Sequence, residues 1–332
     1  MTKINENLDP AAALAGERVL ITGSSGFIGT HLTKRLAERG VTVLGVDLKP
    51  PRERLPGVTY VTGDVRELSQ LQLPKADRIF NLAAVHTTPG HPDHEYYDTN
   101  VNGALEVVRL AERDGVRHVV FTSSISVYGP SEDRKTETSD PAPVSAYGKS
   151  KLMAEKIHEG WLRNGEGRSL TVVRPAVVFG AGEGGNFTRM ATLLKRGVFV
   201  FPGRRDTIKS CIYVEDLIDL VLAAAASEPN HVVFNGSYPE CPTLETIVVT
   251  LQERFFPKAK LIDVPLGVVM AAAKGLSTLN GLGVGVHPDR VTKLVRSTHV
   301  FPEWAVENQM FADRSFTRGV ERWSTATGQT FV

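Results

Sequence analysis

Apolar and polar positions alternate along the first two thirds of the chain in a strand–helix rhythm. Short apolar runs predict buried strands, the first at 19–22, and amphipathic stretches predict helices, the first at 27–39. Further strands are predicted at 41–46, 58–61, 78–84, 116–123, 170–175, 209–214 and 232–235, and further helices at 100–113, 147–162, 187–196 and 215–226. This alternation predicts a parallel sheet covered by helices, with ligands bound at the carboxyl ends of its strands.

The rhythm changes after residue 180, where glycines cluster, and again after residue 236, where short helices and glycine-rich turns predominate. We therefore predict an α/β fold, a Rossmann-type doubly wound parallel sheet with a smaller, discontinuous C-terminal substrate lobe. Residues 18–180 and 207–236 are assigned to the nucleotide-binding domain, and residues 181–206 and 237–332 to the lobe. Residues 1–17 are expected to form a loose N-terminal tail.

Composition narrows the classes of function. The chain has 332 residues, of which 42% are hydrophobic, and its 38 basic and 37 acidic residues leave a formal charge of +1. Such a balance gives no electrostatic footprint for nucleic acid. Cys211 and Cys241 are the only cysteines and lack metal-site spacing, so we predict neither a disulfide framework nor a metal site, and a cytoplasmic location.

The stretch 264–286 is largely apolar but contains Lys274, Asn280 and five glycines. A membrane-spanning helix needs about 20 residues with few or no charges. We therefore expect a packed helix and loop here, and no membrane contact.

The first candidate site is a glycine-spaced turn between the first strand and the first helix. Gly23, Gly26 and Gly29 have the spacing G-x-x-G-x-x-G. Such glycines allow a tight turn, a close approach of backbone to a pyrophosphate and close packing of helix on strand. The unpaired N–H groups and the dipole of the helix N-terminus favour the phosphates.

Asp47 follows the second strand, eighteen residues after Gly29. A carboxylate about 20 residues beyond the glycines holds the ribose 2′-hydroxyl of NAD and repels the 2′-phosphate of NADP. The predicted cofactor is NAD, although Lys49 and Arg52 lie close enough in sequence to keep NADP as the alternative.

The second candidate site is a tyrosine–lysine pair. Tyr147 and Lys151 are four residues apart, so they share one face of the predicted helix. A phenol titrates near ~10, and a neighbouring cation makes it a better base by favouring the phenolate. Ser124, where a parallel strand ends, is placed to hold a substrate oxygen beside Tyr147 and complete a proton-transfer site. His86, in the loop after the fourth strand, is a further candidate for facing the substrate.

Taken together these motifs resemble the extended short-chain dehydrogenases/reductases of the NAD-dependent epimerase/dehydratase family, over about residues 18–226. The resemblance implies that Ser124, Tyr147 and Lys151 are catalytic and that Lys151 also holds the nicotinamide ribose. It implies an NAD site lined by Gly23, Gly26, Phe27, Ile28, Gly29, Asp47, Asp64, Val65 and Ala83. Asn100 would back the site, and residues 174–177 would flank the nicotinamide.

The resemblance also suggests substrate positions. Asn186 is similar to an asparagine that meets a sugar-nucleotide pyrophosphate, and residues 200–203 to a segment lying along the nucleotide base. Lys209 stands where the family usually has arginine, which keeps the charge but loses the two-pronged grip on phosphate. The chain is also expected to form a homodimer through the helices that contain Asn100 and Tyr147.

The resemblance favours one reaction. The 4,6-dehydratases of this family carry Asp-Glu after the catalytic threonine, where this chain has Ile125 and Ser126, so dehydration is not expected. The sequence S-S-x-x-V-Y-G is more similar to 4-epimerases, and we expect 4-epimerisation of a UDP-hexose through a transient 4-keto intermediate.

Two alternatives stay open. One is a reductase or dehydrogenase, using NAD or NADP, of a 4-keto nucleotide sugar or of a 3β-hydroxysteroid-like alcohol. The other is a non-catalytic nucleotide-binding scaffold, against which the complete Ser124, Tyr147 and Lys151 set argues.

Overall fold

The protein is described from a computed structural model that covers residues 11–88, 90–227, 230–277 and 292–332. The strands are β1 (Arg18–Thr22), β2 (Thr42–Asp47), β3 (Val58–Thr62), β4 (Arg78–Asn81), β5 (His118–Thr122), β6 (Ser131–Lys135), β7 (Ser169–Pro175), β8 (Val177–Phe179), β9 (Val198–Pro202), β10 (Cys211–Tyr213), β11 (His231–Gly236), β12 (Lys260–Val264) and β13 (Thr298–Val300). The helices are α1 (Phe27–Ala37), α2 (Asp93–Asp114), α3 (Ala146–Arg163), α4 (Asn186–Lys195), α5 (Val214–Ala225), α6 (Leu244–Phe255), α7 (Leu266–Ser277), α8 (Glu303–Glu307) and α9 (Phe316–Ala326).

Seven parallel strands form the central sheet, in the order β11-β7-β5-β4-β1-β2-β3. The order reverses at β1, because the chain moves outward through β2 and β3 and then returns to place β4 on the other side of β1. At such a reversal the crossover connections run to opposite faces of the sheet. A crevice therefore opens between the carboxyl ends of β1 and β4. The predicted Rossmann-type fold is confirmed.

Strand periodicity explains why both faces of this sheet are covered. In β1, Val19 and Ile21 belong to one hydrophobic core and Leu20 to the other, and all three are at most 1% exposed. Successive side chains of a strand point to opposite faces, so a continuous apolar run fills two cores. Helices α1 and α5 pack together on the first side, and α2 and α3 on the other.

Several element boundaries differ from the predicted ones. Helix α2 begins at Asp93, seven residues before the predicted start, because Asp93 and Glu95 in its first turn favour a helix N-terminus although they break the apolar pattern. The strand predicted at 209–214 does not return to the central sheet. Its core, β10, pairs with β8 in a separate two-stranded sheet.

The N-terminal prediction was wrong for residues 11–17. Ala11 and Leu14 are 0% and 1% exposed within the core, and the Glu17 carboxylate accepts a hydrogen bond of 2.9 Å from Arg78 Nε. This segment therefore closes the amino-terminal end of the sheet instead of hanging free.

The C-terminal part of the chain adds small sheets and helices around the carboxyl edge. Strands β9 and β12 pair in parallel, as do β6 and β13. In the apolar stretch 264–286, residues 266–277 form α7 as predicted, whereas 278–286 lie outside the described residues. No helix within the described ranges has both the length and the apolar character needed to cross a membrane.

Candidate functional site

The glycine turn lies at the carboxyl end of β1, beside the crevice. Gly23 has φ of +73°, and a side chain there would place Cβ only 2.7 Å from the backbone nitrogen of Ala83. Gly29 is packed more tightly still, since its Cβ would lie 2.1 Å from the carbonyl oxygen of Gly23. Only glycine fits at either position, so this turn brings β1, α1 and the end of β4 into direct backbone contact.

The N-terminus of α1 suits a diphosphate. Gly26 is its N-cap and supplies no side chain to satisfy the first amides of the helix. Phe27 and Ile28 form its first turn. The open N–H groups and the positive end of the helix dipole are therefore available to phosphate oxygens.

Asp47 ends β2 beside this turn. Its carboxylate accepts hydrogen bonds from the backbone nitrogens of Ser25, at 3.0 Å, and Lys49, at 2.9 Å. These bonds hold the carboxylate against the glycine turn, where a ribose would lie beyond the pyrophosphate. The backbone cradle, the uncapped helix and this carboxylate fit NAD.

The two positions expected beside the adenine lie after β3. The Asp64 carboxylate caps a short 3₁₀ helix and pairs with Arg66 at 2.6 Å, and this arginine lowers the pKa of Asp64. Val65 is buried against Gly103 of α2. Ala83 follows β4 and contacts Gly23.

Ser124 and Tyr147 meet at the carboxyl end of β5. The Ser124 hydroxyl caps a short turn by accepting from the backbone nitrogen of Ser126 at 3.1 Å, and it is close enough to the Tyr147 phenol to act on its pKa. Ser145 is the N-cap of helix α3, and its hydroxyl accepts from the backbone nitrogen of Gly148 at 3.1 Å. The capped first turn therefore delivers Tyr147 to the turn at Ser124.

Gly148 permits this meeting and was not identified from the sequence. A Cβ at Gly148 would lie 2.3 Å from the carbonyl oxygen of Ser126. Helix α3 can pack this closely against the turn capped by Ser124, which we call the serine turn, only because this position has no side chain. Glycine inside a helix costs stability, which is itself a signal that the position serves a purpose.

Lys151 lies one turn further along α3, 2% exposed, with its ammonium nitrogen 4.7 Å from the centre of the Phe121 ring. Burial lowers the pKa of Lys151 to about 7, against the opposing effect of Glu155. Burial likewise raises the pKa of Tyr147, while the neighbouring Ser124 hydroxyl acts to lower it. Burial therefore disfavours both charges, but a phenolate and an ammonium formed together would stabilise each other.

Behind the pair lies a buried ionic network that was not predicted from the sequence. Glu155 accepts a hydrogen bond of 2.5 Å from the Ser123 hydroxyl and two bonds from the Arg174 guanidinium. The same guanidinium donates to the Tyr128 hydroxyl at 2.7 Å. The network joins β5, α3 and β7 directly below the catalytic candidates.

Asn100 fixes the loop after β4. Its side-chain amide exchanges two hydrogen bonds with the backbone of Val85, at 3.0 and 3.1 Å, and donates to the Ser150 hydroxyl at 2.9 Å. Ser150 in turn donates to the carbonyl oxygen of Tyr147. Asn100 thus ties this loop to the helix of the tyrosine–lysine pair.

His86 lies in the loop that Asn100 holds. Its side chain is exposed, and desolvation in this loop lowers the pKa of His86, with the charge of Lys151 acting in the same direction. Tyr96 of α2, another residue not singled out from the sequence, lies with its ring centre 6.2 Å from that of Tyr147. Tyr96 therefore lies beside the phenol.

Asn186 and Lys209, the two residues expected near the substrate phosphates, lie in different surroundings. Asn186 is exposed at the first position of α4. Lys209 is half-buried and donates hydrogen bonds to the carbonyl oxygens of Lys293, at 2.6 Å, and Arg296, at 2.5 Å. Lys293 donates in turn to Thr88, in the loop beside His86. Residues 293–296, which we call the strap, therefore link Lys209 to the loop after β4, a tertiary relationship that no local pattern reveals.

Comparison with known proteins gives four results. The model of the NAD dependent epimerase/dehydratase family matches residues 19–235. N-acetyl-alpha-D-glucosaminyl-diphospho-ditrans,octacis-undecaprenol 4-epimerase of Escherichia coli O157:H7 is 29% identical, covering 92% of this chain and 94% of that protein. The 3-beta-hydroxysteroid dehydrogenase of Mycolicibacterium neoaurum is 31% identical, covering 70% and 66% respectively. The structure of Thermotoga maritima UDP-glucose 4-epimerase with UDP-glucose superposes with a TM-score of 0.76, 22% identity and coverage of 95% and 100%.

Proposed function

Because the chain belongs to the NAD-dependent epimerase/dehydratase family, we propose that it is an enzyme that inverts C4 of a hexose carried on a diphosphate, with a UDP-hexose as the first candidate substrate. The observation that carries this proposal is the convergence of Ser124, Tyr147 and Lys151 on the edge of the sheet that also holds the glycine turn. Proton transfer and nucleotide binding are thereby placed in one crevice.

In this proposal Tyr147 accepts the proton of the sugar 4-hydroxyl. Ser124 donates a hydrogen bond to the same oxygen and orients it towards the phenol. Lys151 supplies the positive charge that makes the phenolate accessible, as its position one turn from Tyr147 suggests. The glycine turn and Asp47 would hold NAD, which would supply the acceptor for the C4 hydride and the means of returning it to the opposite face of the sugar.

Further site contacts are part of the proposal. Phe27, Ile28, Asp64, Val65 and Ala83 complete the NAD site, and Lys151 also holds the nicotinamide ribose. His86 and Asn186 contact the substrate. Lys209 acts on the diphosphate either directly or through the strap it holds in place.

A second carrier is favoured by one comparison. The Escherichia coli relative, which matches this chain over almost its whole length, is named for a lipid-linked N-acetylglucosaminyl diphosphate. A polyprenyl diphosphate and a uridine diphosphate present the same charged group next to the sugar. We therefore propose both as carriers to be compared in one assay.

Net oxidation is the weaker alternative. The steroid dehydrogenase relative matches 70% of this chain, whereas the 4-epimerase relative matches 92% and so extends over the C-terminal lobe as well. The lobe is where substrate selection is expected, so its inclusion favours epimerisation.

We also propose a cytoplasmic homodimer acting in carbohydrate metabolism. Helices α2 and α3 pack on each other, and their outer faces leave Leu105 and Met153 39% and 48% exposed. Two copies of this pair would form a four-helix bundle. The division into a nucleotide-binding domain, 18–180 with 207–236, and a substrate lobe is likewise proposed.

The test is the nucleotide released when protein purified without added cofactor is denatured and its supernatant chromatographed. Retained NAD or NADH, near one per chain, supports internal return of the hydride. Purified protein is then assayed with UDP-glucose, UDP-N-acetylglucosamine and polyprenyl-diphosphate N-acetylglucosamine, with Tyr147→Phe as the inactive control. Stoichiometric NAD(P)H production in any arm, without an epimer, would overturn the proposal in favour of net oxidation.

A further inference from the structure

The two-stranded sheet of β9 and β12 has an apolar outer face. Its register pairs Val198 with Lys260 and Val200 with Ile262. Val198, Val200 and Ile262 are 37%, 39% and 43% exposed. The alternate residues Phe199 and Phe201 fill the core on the inner face, at 3% and 0% exposure. The sheet therefore packs on the core through the face that carries the two phenylalanines. The two valines and the isoleucine on the outer face remain in contact with water.

Helix α7 begins beside the carboxyl end of this sheet. It begins two residues after β12, and its Leu266 lies against Gly203, which follows β9. Leu266 is 37% exposed. We call Val198, Val200, Ile262 and Leu266 the apolar strip. Four exposed aliphatic side chains from three neighbouring elements form a patch rather than the scattered exposure usual on protein surfaces.

A group of cations lies at one end of the strip. Lys195 and Arg196 precede β9, and Lys258 and Lys260 lie at the start of β12. Because the strands are parallel, their amino ends lie side by side. The backbone nitrogen of Lys260 donates a hydrogen bond of 2.9 Å to the carbonyl oxygen of Gly197. All four side chains are exposed. Within the described part of the chain, none of the four forms an ion pair.

Aliphatic side chains bordered by lysine and arginine are the combination by which proteins lie on anionic lipid. Apolar residues enter the boundary between headgroups and acyl chains, and the cations are attracted to negatively charged headgroups. A second copy of the chain fits less well. A two-fold interface sets the same patch of both copies together, and this patch consists of aliphatic side chains and cations, with no anion to complement the cations.

We propose that the apolar strip and the cations Lys195, Arg196, Lys258 and Lys260 dock the protein on the surface of an anionic phospholipid membrane. The contact is peripheral, which is compatible with the lack of a membrane-crossing helix among the described residues. It departs from our sequence-based expectation of no membrane contact, which considered the stretch 264–286 as a span. Docking requires no turnover, so it stands or falls separately from the proposed reaction.

The test is co-sedimentation of the full-length protein, with NAD, with vesicles of phosphatidylcholine mixed with phosphatidylglycerol and with vesicles of phosphatidylcholine alone. We expect binding to the anionic vesicles that weakens as salt is raised. Each cation replaced by glutamine should reduce partitioning roughly fivefold. Val198→Asp combined with Ile262→Asp should reduce it at least about tenfold.

Val306→Asp is the matched control, because Val306 is 39% exposed on α8, outside the strip. It should bind vesicles as the wild type does. Failure of the wild-type protein to sediment with anionic vesicles at low salt would overturn the proposal, as would equal binding by the strip variant. A strip variant that changes the oligomeric state in sedimentation velocity, with no vesicle binding by the wild type, would assign the face to self-association instead. If the strip variant fails to fold, Lys195→Gln with Lys258→Gln gives the same decision.

Discussion

Arg174 and Glu155 form a two-point ion pair beneath the proposed catalytic residues, with Nε to Oε1 at 2.9 Å and Nη2 to Oε2 at 2.7 Å. The side chains are 8% and 1% exposed, so neither charge has water to replace its partner. Such a pair contributes little beyond its own cost of burial, yet loss of one member is expensive. Its place under β5 and α3 makes the geometry of Ser124 and Lys151 depend on it.

We predict that Glu155→Gln lowers the free energy of unfolding by about 3 to 5 kcal/mol, because it leaves the buried guanidinium without a counter-charge. Urea unfolding measures the effect. Glu159→Gln, one turn further along α3, is the control. Among the residues that the structure describes, Glu159 pairs with the exposed Lys156 and Arg163, so its loss should cost less than about 1 kcal/mol. Equal losses in the free energy of unfolding for the two variants would show that the buried pair matters no more to stability than the exposed one.

Gly148 tests the contact between α3 and the serine turn. A Cβ there would meet the Ser126 carbonyl at 2.3 Å, so Gly148→Ala should push Tyr147 away from Ser124. We expect epimerase activity to fall about 100-fold, since a displacement near 1 Å can cost that much. Gly160→Ala on the same helix has no neighbouring atom within 4 Å. It should leave activity unchanged and stabilise the protein by about 0.5 to 1 kcal/mol. Full activity in Gly148→Ala would contradict the role assigned to the contact.

The low pKa of Lys151 predicts how the stability of the cofactor-free protein depends on pH. With a folded pKa of about 7 and an unfolded value near ~10.4, the unfolded state binds more protons between these limits. Below pH 7 the folded protein therefore carries the full cost of burying the Lys151 charge. This cost decreases as pH rises from 7 towards the unfolded pKa. Stability should increase with pH by up to about 1.4 kcal/mol per unit relative to Lys151→Met. Unfolding at pH 7 and pH 9 measures this, with exposed Lys149→Met expected to follow the wild type.

Local chemistry explains what could be predicted from the sequence. The glycine turn, Asp47 and the Tyr147–Lys151 pair are each defined within a few residues, and the alternating strands and helices place them on one edge of a sheet. The pairing of β10 with β8, the close approach at Gly148 and the strap held by Lys209 each join segments that are distant in sequence. Amphipathic periodicity carries no information about such partners. The early part of α2 was missed because Asp93–Asn100 is mostly polar, and Tyr96 is its one fully buried apolar side chain before Asn100.

Cofactor selectivity tests Asp47. Asp47→Asn keeps the oxygen that accepts from the Ser25 nitrogen but removes the negative charge that would repel a 2′-phosphate. We expect NAD to bind about tenfold more weakly and NADP to bind more tightly than in the wild type. Fluorescence titration of the cofactor-free protein gives both dissociation constants. Glu53→Gln removes another exposed carboxylate from the following loop and should leave the NAD to NADP ratio unchanged. A wild-type preference for NADP would refute the role of Asp47.

Substitution of Lys209 tests whether this side chain acts by holding the strap in place or only as a surface charge. Its ammonium donates to the carbonyl oxygens of Lys293 and Arg296, and burial lowers its pKa to about 8. Lys209→Met should raise KM for the diphosphate-linked sugar about ten- to hundredfold and change kcat much less, because it loosens the strap rather than the proton-transfer site. Lys209→Arg retains the charge and should recover part of the loss. Since the ammonium loses its proton as pH rises through 8, wild-type KM should increase above that pH and the Lys209→Met KM should stay flat. A pH-independent KM in the wild type, or a loss confined to kcat, would show that Lys209 does not act through this charge.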